Sequence, residues 1–128
     1  MTIAEIAEKY GLSTDTLRYY ERIGLIPPVR RNKAGNRDYG EMDHRVIGFV
    51  KRMRQAGVSV ESLIEYTKLL RQGTQTRETR KAILREQKEL LAARIAEMQQ
   101  TLENLDYKIT NYDTVIVEAE NKLSQEES

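Results

Sequence analysis

One segment near the N-terminus dictates how this chain folds. It reads Ser13-Thr14-Asp15-Thr16-Leu17-Arg18-Tyr19-Tyr20-Glu21-Arg22-Ile23-Gly24-Leu25-Ile26-Pro27-Pro28. Ser13 is a favourable N-cap, so a helix is predicted to begin after it and to stop at Gly24. Leu17 falls on the inward face. Pro27 and Pro28 cannot continue a helix, so the chain must leave this segment in an extended conformation.

A second short helix is predicted immediately upstream. Thr2 and Glu5 have capping-box spacing, and Gly11 stands where a helix of about two turns would end. Its apolar residues recur at intervals of three and four: Ile3, Ile6, Ala7 and Tyr10. Two short helices joined at Gly11-Leu12 indicate a helix-turn-helix.

The residues after the two prolines predict a β-hairpin. Gly35-Asn36 is a turn signal between two short polar runs. Four basic residues surround that turn, namely Arg30, Arg31, Lys33 and Arg37. A hairpin directly after a helix-turn-helix is a wing, whose cations can reach DNA phosphates. An edge hairpin protected from aggregation by its charge is the alternative.

Two further helices are predicted before residue 75. Asp43 is expected to cap the third, over about residues 43–56, and Ser59 the fourth, which ends at Gly73. The third ends in Lys51-Arg52-Met53-Arg54. These cations suit the negative end of the helix dipole, and they suit equally a second wing on the phosphate backbone.

The C-terminal part is predicted to be one long helix from about Thr76 to Glu120, followed by a flexible polar tail over residues 121–128. Apolar residues form a heptad seam: Leu84, Leu91, Ile95, Met98, Leu102, Leu105, Ile109, Tyr112 and Ile116. The N-terminal residues are too few to cover so long a seam, so we expect a coiled-coil homodimer. The seam alone leaves the relative direction of the two helices open.

Composition narrows the function. Residues 1–57, called the head below, carry 11 basic and 7 acidic side chains, a net charge of +4. Residues 58–128 carry 10 basic and 13 acidic side chains, a net charge of −3. This asymmetry suggests that the head binds a polyanion. The chain has no cysteine and one histidine, His44. We find no catalytic motif and no metal-ligand spacing, so neither an enzyme nor a cofactor is expected. No run is apolar enough to cross a membrane, and no signal peptide is recognised, so we expect a cytoplasmic protein.

The motifs together resemble the MerR family of bacterial transcription regulators. The match rests on Leu17-Arg18-Tyr19-Tyr20-Glu21-x-x-Gly24-Leu25-Ile26-x-Pro28, followed by Arg31 and Asn36-Arg37-x-Tyr39. The resemblance implies homodimers joined by an antiparallel coiled coil. Such dimers bind pseudo-palindromic promoter sites and distort the DNA, which controls the access of RNA polymerase without direct contact to it.

The resemblance also assigns roles to residues. The helix predicted after Ser13 would be the recognition helix, from which Arg18 and Tyr20 would contact DNA. Tyr19 and Arg22 would lie beside them, and Ser13 and Thr16 would face the groove. Arg31, Lys33 and Arg37 would contact phosphates from the first wing. Tyr39 would brace the hairpin or touch the backbone, and Arg54 would act from the second wing.

The sequence lacks the features with which the known branches of the family sense their signals. Their metal and aldehyde sensors use cysteines, which this chain lacks, and their drug sensors add a large C-terminal domain. An unidentified small-molecule effector, or none, is left open.

The prediction is therefore a mainly α protein with a winged helix-turn-helix domain over residues 1–75 and a dimerisation helix over residues 76–120. The alternative is an excisionase-like winged-helix adaptor or architectural protein whose coiled coil docks a protein partner.

Overall fold

The computed structural model describes residues 1–127, apart from the side chains of residues 115, 116, 126 and 127. The predicted mainly helical architecture is confirmed. The elements are α1 (Ile3–Tyr10), α2 (Thr14–Arg22), α3 (Glu41–Gln55), α4 (Val60–Gln72), a 3-10 turn (Thr74–Thr76), α5 (Arg77–Thr110), a π-helical turn (Tyr112–Ile116) and α6 (Val117–Glu127). The chain divides into two units, one over Met1–Leu91 and one beginning at Ala92.

The ends of the first two helices are set by local hydrogen bonds. Thr2 Oγ1 accepts from the Glu5 amide at 3.2 Å, and Glu5 Oε1 accepts from the Thr2 amide at 3.1 Å. The bond from the Thr2 amide to the carboxylate holds the pKa of Glu5 below its ordinary value. Gly11 ends α1 in the left-handed conformation with φ 64°, and Ser13 Oγ caps α2 by accepting from the Thr16 amide at 3.0 Å. The predicted capping box and both caps are confirmed.

The core of the first unit fixes which face of α2 turns inward. Leu17 is fully buried together with Ile6, Leu25, Ile26, Ile47 and Val50. The amides of Leu25 and Ile26 donate to the Tyr20 carbonyl at 2.9 and 3.3 Å, which folds the chain back under α2. The buried Thr67 hydroxyl of α4 donates to the Leu25 carbonyl at 2.9 Å. The residues on the outer side of α2 are therefore directed away from the core.

The predicted β-hairpin is not found as two strands within residues 1–127. One isolated antiparallel bridge joins Arg31 and Arg37, and the Asp38 amide donates to the Arg30 carbonyl at 2.7 Å. The Asn32 side chain accepts from the amides of Ala34 and Asn36 at 3.0 and 3.1 Å. These bonds stabilise the turn, as Asn side chains commonly do, and the Asn32 amide also donates to the Asn36 carbonyl at 2.8 Å. Residues 30–38 are called the basic loop below.

Helix α3 begins earlier than predicted. It starts at Glu41 after Gly40, and Asp43 lies within the first turn, where its carboxylate accepts from the Gly40 amide at 2.8 Å. The prediction that Asp43 is the N-cap is wrong, because Gly40 occupies that position. The Asp43 carboxylate still accepts from a backbone amide that would otherwise lack a partner at this helix end.

The second unit differs from the predicted continuous helix. After Thr110 the π-helical turn interrupts the regular hydrogen-bond pattern, and α6 then continues to Glu127. The segment after residue 120 is helical where a flexible tail was predicted, because it contains helix-favouring Glu, Gln, Lys and Leu and no Gly or Pro. Ser128 lies outside the described residues. No helix within residues 1–127 is both long and apolar enough to cross a bilayer.

Candidate nucleic-acid interface

The N-terminal turn of α2 is capped by two of the residues predicted to face DNA. Ser13 Oγ and Thr16 Oγ1 lie 2.7 Å apart, and Ser13 Oγ also accepts from the Thr16 amide. Ser13 is exposed and Thr16 is half-buried. Both hydroxyls therefore take part in fixing the start of the helix that presents the surface.

The outer face of α2 carries an aromatic ring and a cation in contact. Tyr19 is 47% exposed, and the Arg22 guanidinium carbon lies 5.3 Å from the centroid of its ring. Such a cation–π pair keeps two flexible side chains together on the surface. Tyr20, by contrast, is half-buried and packs against the core, so the structure gives it a mainly structural position.

Three arginines predicted to contact DNA surround one cavity. Its volume is about 230 Å³, and it opens between the start of α1, the helix α2 and the basic loop. Arg18 approaches from α2, and Arg31 and Arg37 approach from the basic loop. The lining residues are Thr2, Ile3, Arg18, Arg31, Asn36 and Arg37. A concave site bordered by three arginines has the kind of donor that binds phosphate groups well, although two of the three are paired with carboxylates of the same head.

Each of these arginines is held by an acceptor within the protein. Arg18 Nη1 donates to Asp15 Oδ1 at 3.1 Å and lies 3.4 Å from Thr14 Oγ1. Arg31 Nη1 donates to the Gly35 carbonyl at 2.8 Å across the basic loop. One guanidinium offers five N–H donors, so each arginine keeps donors for a ligand while one is used for positioning.

An ion pair joins the basic loop to the recognition helix. Arg37 Nε donates to Glu21 Oε1 at 2.9 Å, and the two side chains are only 20% and 18% exposed. Partial burial makes such a pair sensitive to the loss of either partner, since the remaining charge would be left without compensation. Sequence reasoning missed the role of Glu21, because nothing in the sequence marks a pair 16 residues apart.

Tyr39 occupies the core and does not lie on the surface. It is 2% exposed, so of its two predicted roles the structure favours bracing the loop. Burial raises the pKa of its phenol above the ordinary value, while the nearby Arg37 guanidinium acts in the opposite direction. Its hydroxyl has no hydrogen-bond partner among the described residues.

The cations at the end of α3 are mostly used inside the protein. The Lys51 ammonium donates to the Tyr10 carbonyl at the end of α1. Arg54 Nη1 donates to the Val58 carbonyl at 2.7 Å, in the turn before α4. Neither acceptor is a carbonyl of α3, so these contacts do not decide between the two alternatives for the cations. They leave Arg54 with only part of its donor set for the predicted second wing. Lys33 lies exposed on the basic loop.

His44 belongs to a surface contact between two helices. Its Nδ1 lies 3.2 Å from Lys9 Nζ, and its carbonyl accepts from the Tyr10 hydroxyl at 3.0 Å. Within the described part of the chain, no three His, Asp or Glu side chains form a group that could hold a metal ion.

The predicted dimerisation seam divides between the two units. In the first unit, Leu84 is 37% exposed and lines a small crevice with Phe49, Met53 and Tyr66. In the second unit the seam residues are 47–72% exposed: Ile95, Met98, Leu102, Leu105, Ile109 and Tyr112. Leu91 is half-buried, and the side chain of Ile116 lies outside the described residues.

The comparisons with known proteins agree with this geometry. The family described as MerR HTH family regulatory protein matches residues 1–70, and that described as MerR, DNA binding matches residues 45–107. The HTH-type transcriptional regulator AdhR of Bacillus subtilis is 54% identical over 91 residues, which is 71% of this chain and 65% of AdhR. This chain thus aligns with just under two thirds of that relative.

Two solved structures resemble the fold. A MerR family transcriptional regulator from Listeria monocytogenes has a TM-score of 0.86 at 49% identity and covers 98% of this chain and 95% of its own. HiNmlR, a MerR family regulator lacking the sensor domain and bound to promoter DNA, has a TM-score of 0.80 at 30% identity. The match covers 91% of this chain and 92% of the HiNmlR chain.

The helix-turn-helix with a free, cation-bearing face defines a DNA-binding transcription regulator. The chain belongs to the MerR family of helix-turn-helix regulatory proteins. The predicted family and the predicted class of function are confirmed.

We predict that the ion pair between Glu21 and Arg37 stabilises the first unit. Replacing either residue by glutamine should lower the free energy of unfolding by about 1–3 kcal/mol, because one partly buried charge then lacks its partner. The double variant should be destabilised by less than the sum of the two single effects, which a double-mutant cycle in urea measures. If the two effects simply add, the two side chains are not coupled.

Proposed function

We propose that the protein works as a homodimer, in which each head places α2 in the major groove and the basic loop on the adjacent backbone. The cavity bordered by Arg18, Arg31 and Arg37 is the observation that carries this proposal. It lies beside the outer face of α2, so a phosphate held there would fix the helix against the base edges. Phosphate contacts then position the head, and residues of α2 read the sequence.

The dimer is proposed from the exposed apolar stripe of the second unit. Met98 and Ile109 are each 72% exposed, and a stripe of this kind on a helix is unfavourable in water unless another surface covers it. The exposed residues lie symmetrically on either side of residue 100. Ile95 and Leu105 are each five positions away from it, and Met98 and Leu102 are each two positions away. This spacing allows two identical helices to pair in either direction, and the antiparallel direction of the proposed dimer is taken from the resemblance to MerR regulators. We retain residues 1–75 as the DNA-binding part and residues 76–120 as the dimerisation helix in this proposal.

We further propose that the dimer deforms its promoter site and thereby controls how RNA polymerase engages it. Smooth bending of a site costs on the order of 1–6 kcal/mol by elastic estimates. Two heads, each with a recognition helix and a basic loop, can supply enough contacts to offset that cost. A regulator of promoter DNA acts in the bacterial cytoplasm. The sequence contains no cysteine, so no thiol of these 128 residues takes part in sensing.

We predict that Arg18→Ala weakens DNA binding by about 1–3 kcal/mol for each hydrogen bond to DNA that the substitution removes. If the bond is to a phosphate, the salt dependence should also weaken, so the slope of log K against log salt should fall by about 0.9 per phosphate. Fluorescence anisotropy with a duplex selected by the parent protein measures both quantities.

The matched control is Arg71→Ala, since Arg71 is an exposed arginine of α4 that does not border the cavity. It should bind DNA like the parent. If Arg18→Ala and Arg71→Ala give the same affinity and slope, the assignment of the interface to α2 is wrong.

We predict that Met98→Lys converts the dimer into a monomer. In the proposed pairing the two introduced lysines lie near the centre of the interface, where their charges must be desolvated close to each other. Light scattering of the purified chain should report a dimer for the parent and for Gln100→Lys, whose exposed residue lies on the opposite side of the helix from Met98. A parent that is monomeric without a partner would instead support the adaptor function.

A further inference from the structure

We propose that Asp15 reads a cytosine in the operator, with Arg18 holding its carboxylate in place. This inference rests on the proposed function, in which α2 enters the major groove. It assigns base recognition to an acidic residue of a surface that is otherwise basic.

The position of Asp15 on α2 is the first argument. Successive residues of a helix are separated by about 100°, so Asp15 and Tyr19, two residues before and after Leu17, both point about 160° away from it. Leu17 is fully buried. Asp15 therefore lies on the ridge opposite the core, and its side chain is 95% exposed. It also lies in the first turn of the helix, whose residues reach deepest into the groove in this class of motif.

The charge of Asp15 is the second argument. A carboxylate that approaches DNA is repelled by the phosphates and by the acceptor atoms N7, O6 and O4 of the major groove. It is accommodated only where a base offers a donor. The N4 amino group of cytosine is such a donor, whereas the N6 amino group of adenine has the acceptor N7 beside it. Asp15 thus favours cytosine and disfavours the other bases.

The contact with Arg18 is the third argument. Arg18 Nη1 donates to Asp15 Oδ1 at 3.1 Å, one helical turn away. This bond orients the carboxylate and leaves its second oxygen to accept from a base. It also offsets part of the negative charge where the head meets DNA. Arg18 is 47% exposed and borders the arginine-lined cavity, so one residue connects the base-reading acid with the phosphate contact.

An acid in the first turn of a helix is also favoured by the helix dipole, whatever the helix binds. That role alone requires only a negative charge at this position. It would leave the base preference of the protein unchanged when Asp15 is replaced, and this difference makes the two explanations separable.

The test is a selection from a pool of randomised duplexes with the full-length chain, carried out in parallel for the parent and for Asp15→Asn. Asparagine forms a bidentate pair with adenine through N6 and N7. We expect one position in each half-site to change from cytosine to adenine. On two duplexes that differ only at that base pair in each half-site, the parent should prefer cytosine, and the variant adenine, by roughly 5- to 150-fold per contact.

The matched control is Glu8→Gln, which removes one negative charge from an exposed position of α1 outside the recognition helix. It should select the same sequence as the parent. If Asp15→Asn also selects the parent's sequence and merely binds it more tightly, Asp15 acts through its charge and the inference is overturned, while the proposed function stands. A parent that enriches no sequence would overturn the proposed function and this inference with it.

Discussion

The burial of Leu17 is the constraint on which the recognition surface depends. This side chain lies in a core contributed by helices α1 to α4 and by the extended segment after α2. A rotation of α2 by one residue position, about 100°, would bring a different set of side chains to the surface. The hydrogen bonds from Leu25 and Ile26 to the Tyr20 carbonyl prevent such a rotation from the C-terminal end, and the Ser13 cap fixes the N-terminal end. The core thus decides what the protein presents to DNA.

The basic residues of the head serve two purposes, and the structure separates them. Lys51 and Arg54 donate to the carbonyls of Tyr10 and Val58, so they stabilise the head whether or not DNA is present. Arg37 serves both purposes. Its pairing with Glu21 connects the basic loop to α2, and it still borders the cavity. A hydrogen bond to a carbonyl does not neutralise a cation, so Lys51 and Arg54 still contribute to the net charge of +4 over residues 1–57, but they keep fewer donors for DNA. In the proposed dimer, the second head adds its own contacts to the small number that one head can offer to DNA.

Local signals in the sequence predicted the helices well. The caps at Thr2, Gly11 and Ser13 depend on residues within a few positions of one another, so their pattern can be read directly. The turn near Gly35 is also located correctly, but the two arms beside it pair through a single bridge, between Arg31 and Arg37, and not through two strands. The start of α3 was predicted too late in the chain. The Asp43 carboxylate accepts from the Gly40 amide as an N-terminal capping group does, but Asp43 stands at the third position of the helix and not before it.

The parts of the site that the sequence did not predict depend on tertiary contacts. The pairing of Glu21 with Arg37, the contact of Lys51 with the Tyr10 carbonyl and the burial of Tyr39 follow from how distant segments pack. The π-helical turn after Asn111 carries no Gly or Pro that could have marked it. The family motif, by contrast, identified the class of protein from residues 17–39 alone, because their types and spacing are highly specific.

Hydroxyl-radical footprinting of the parent protein on its selected operator tests the central claim most directly. A dimer with two recognition helices should protect two equivalent patches related by a two-fold axis on one side of the duplex. Their centres should lie about 10 base pairs apart, or a multiple of that distance. A single protected patch, or protection without two-fold symmetry, would contradict the account.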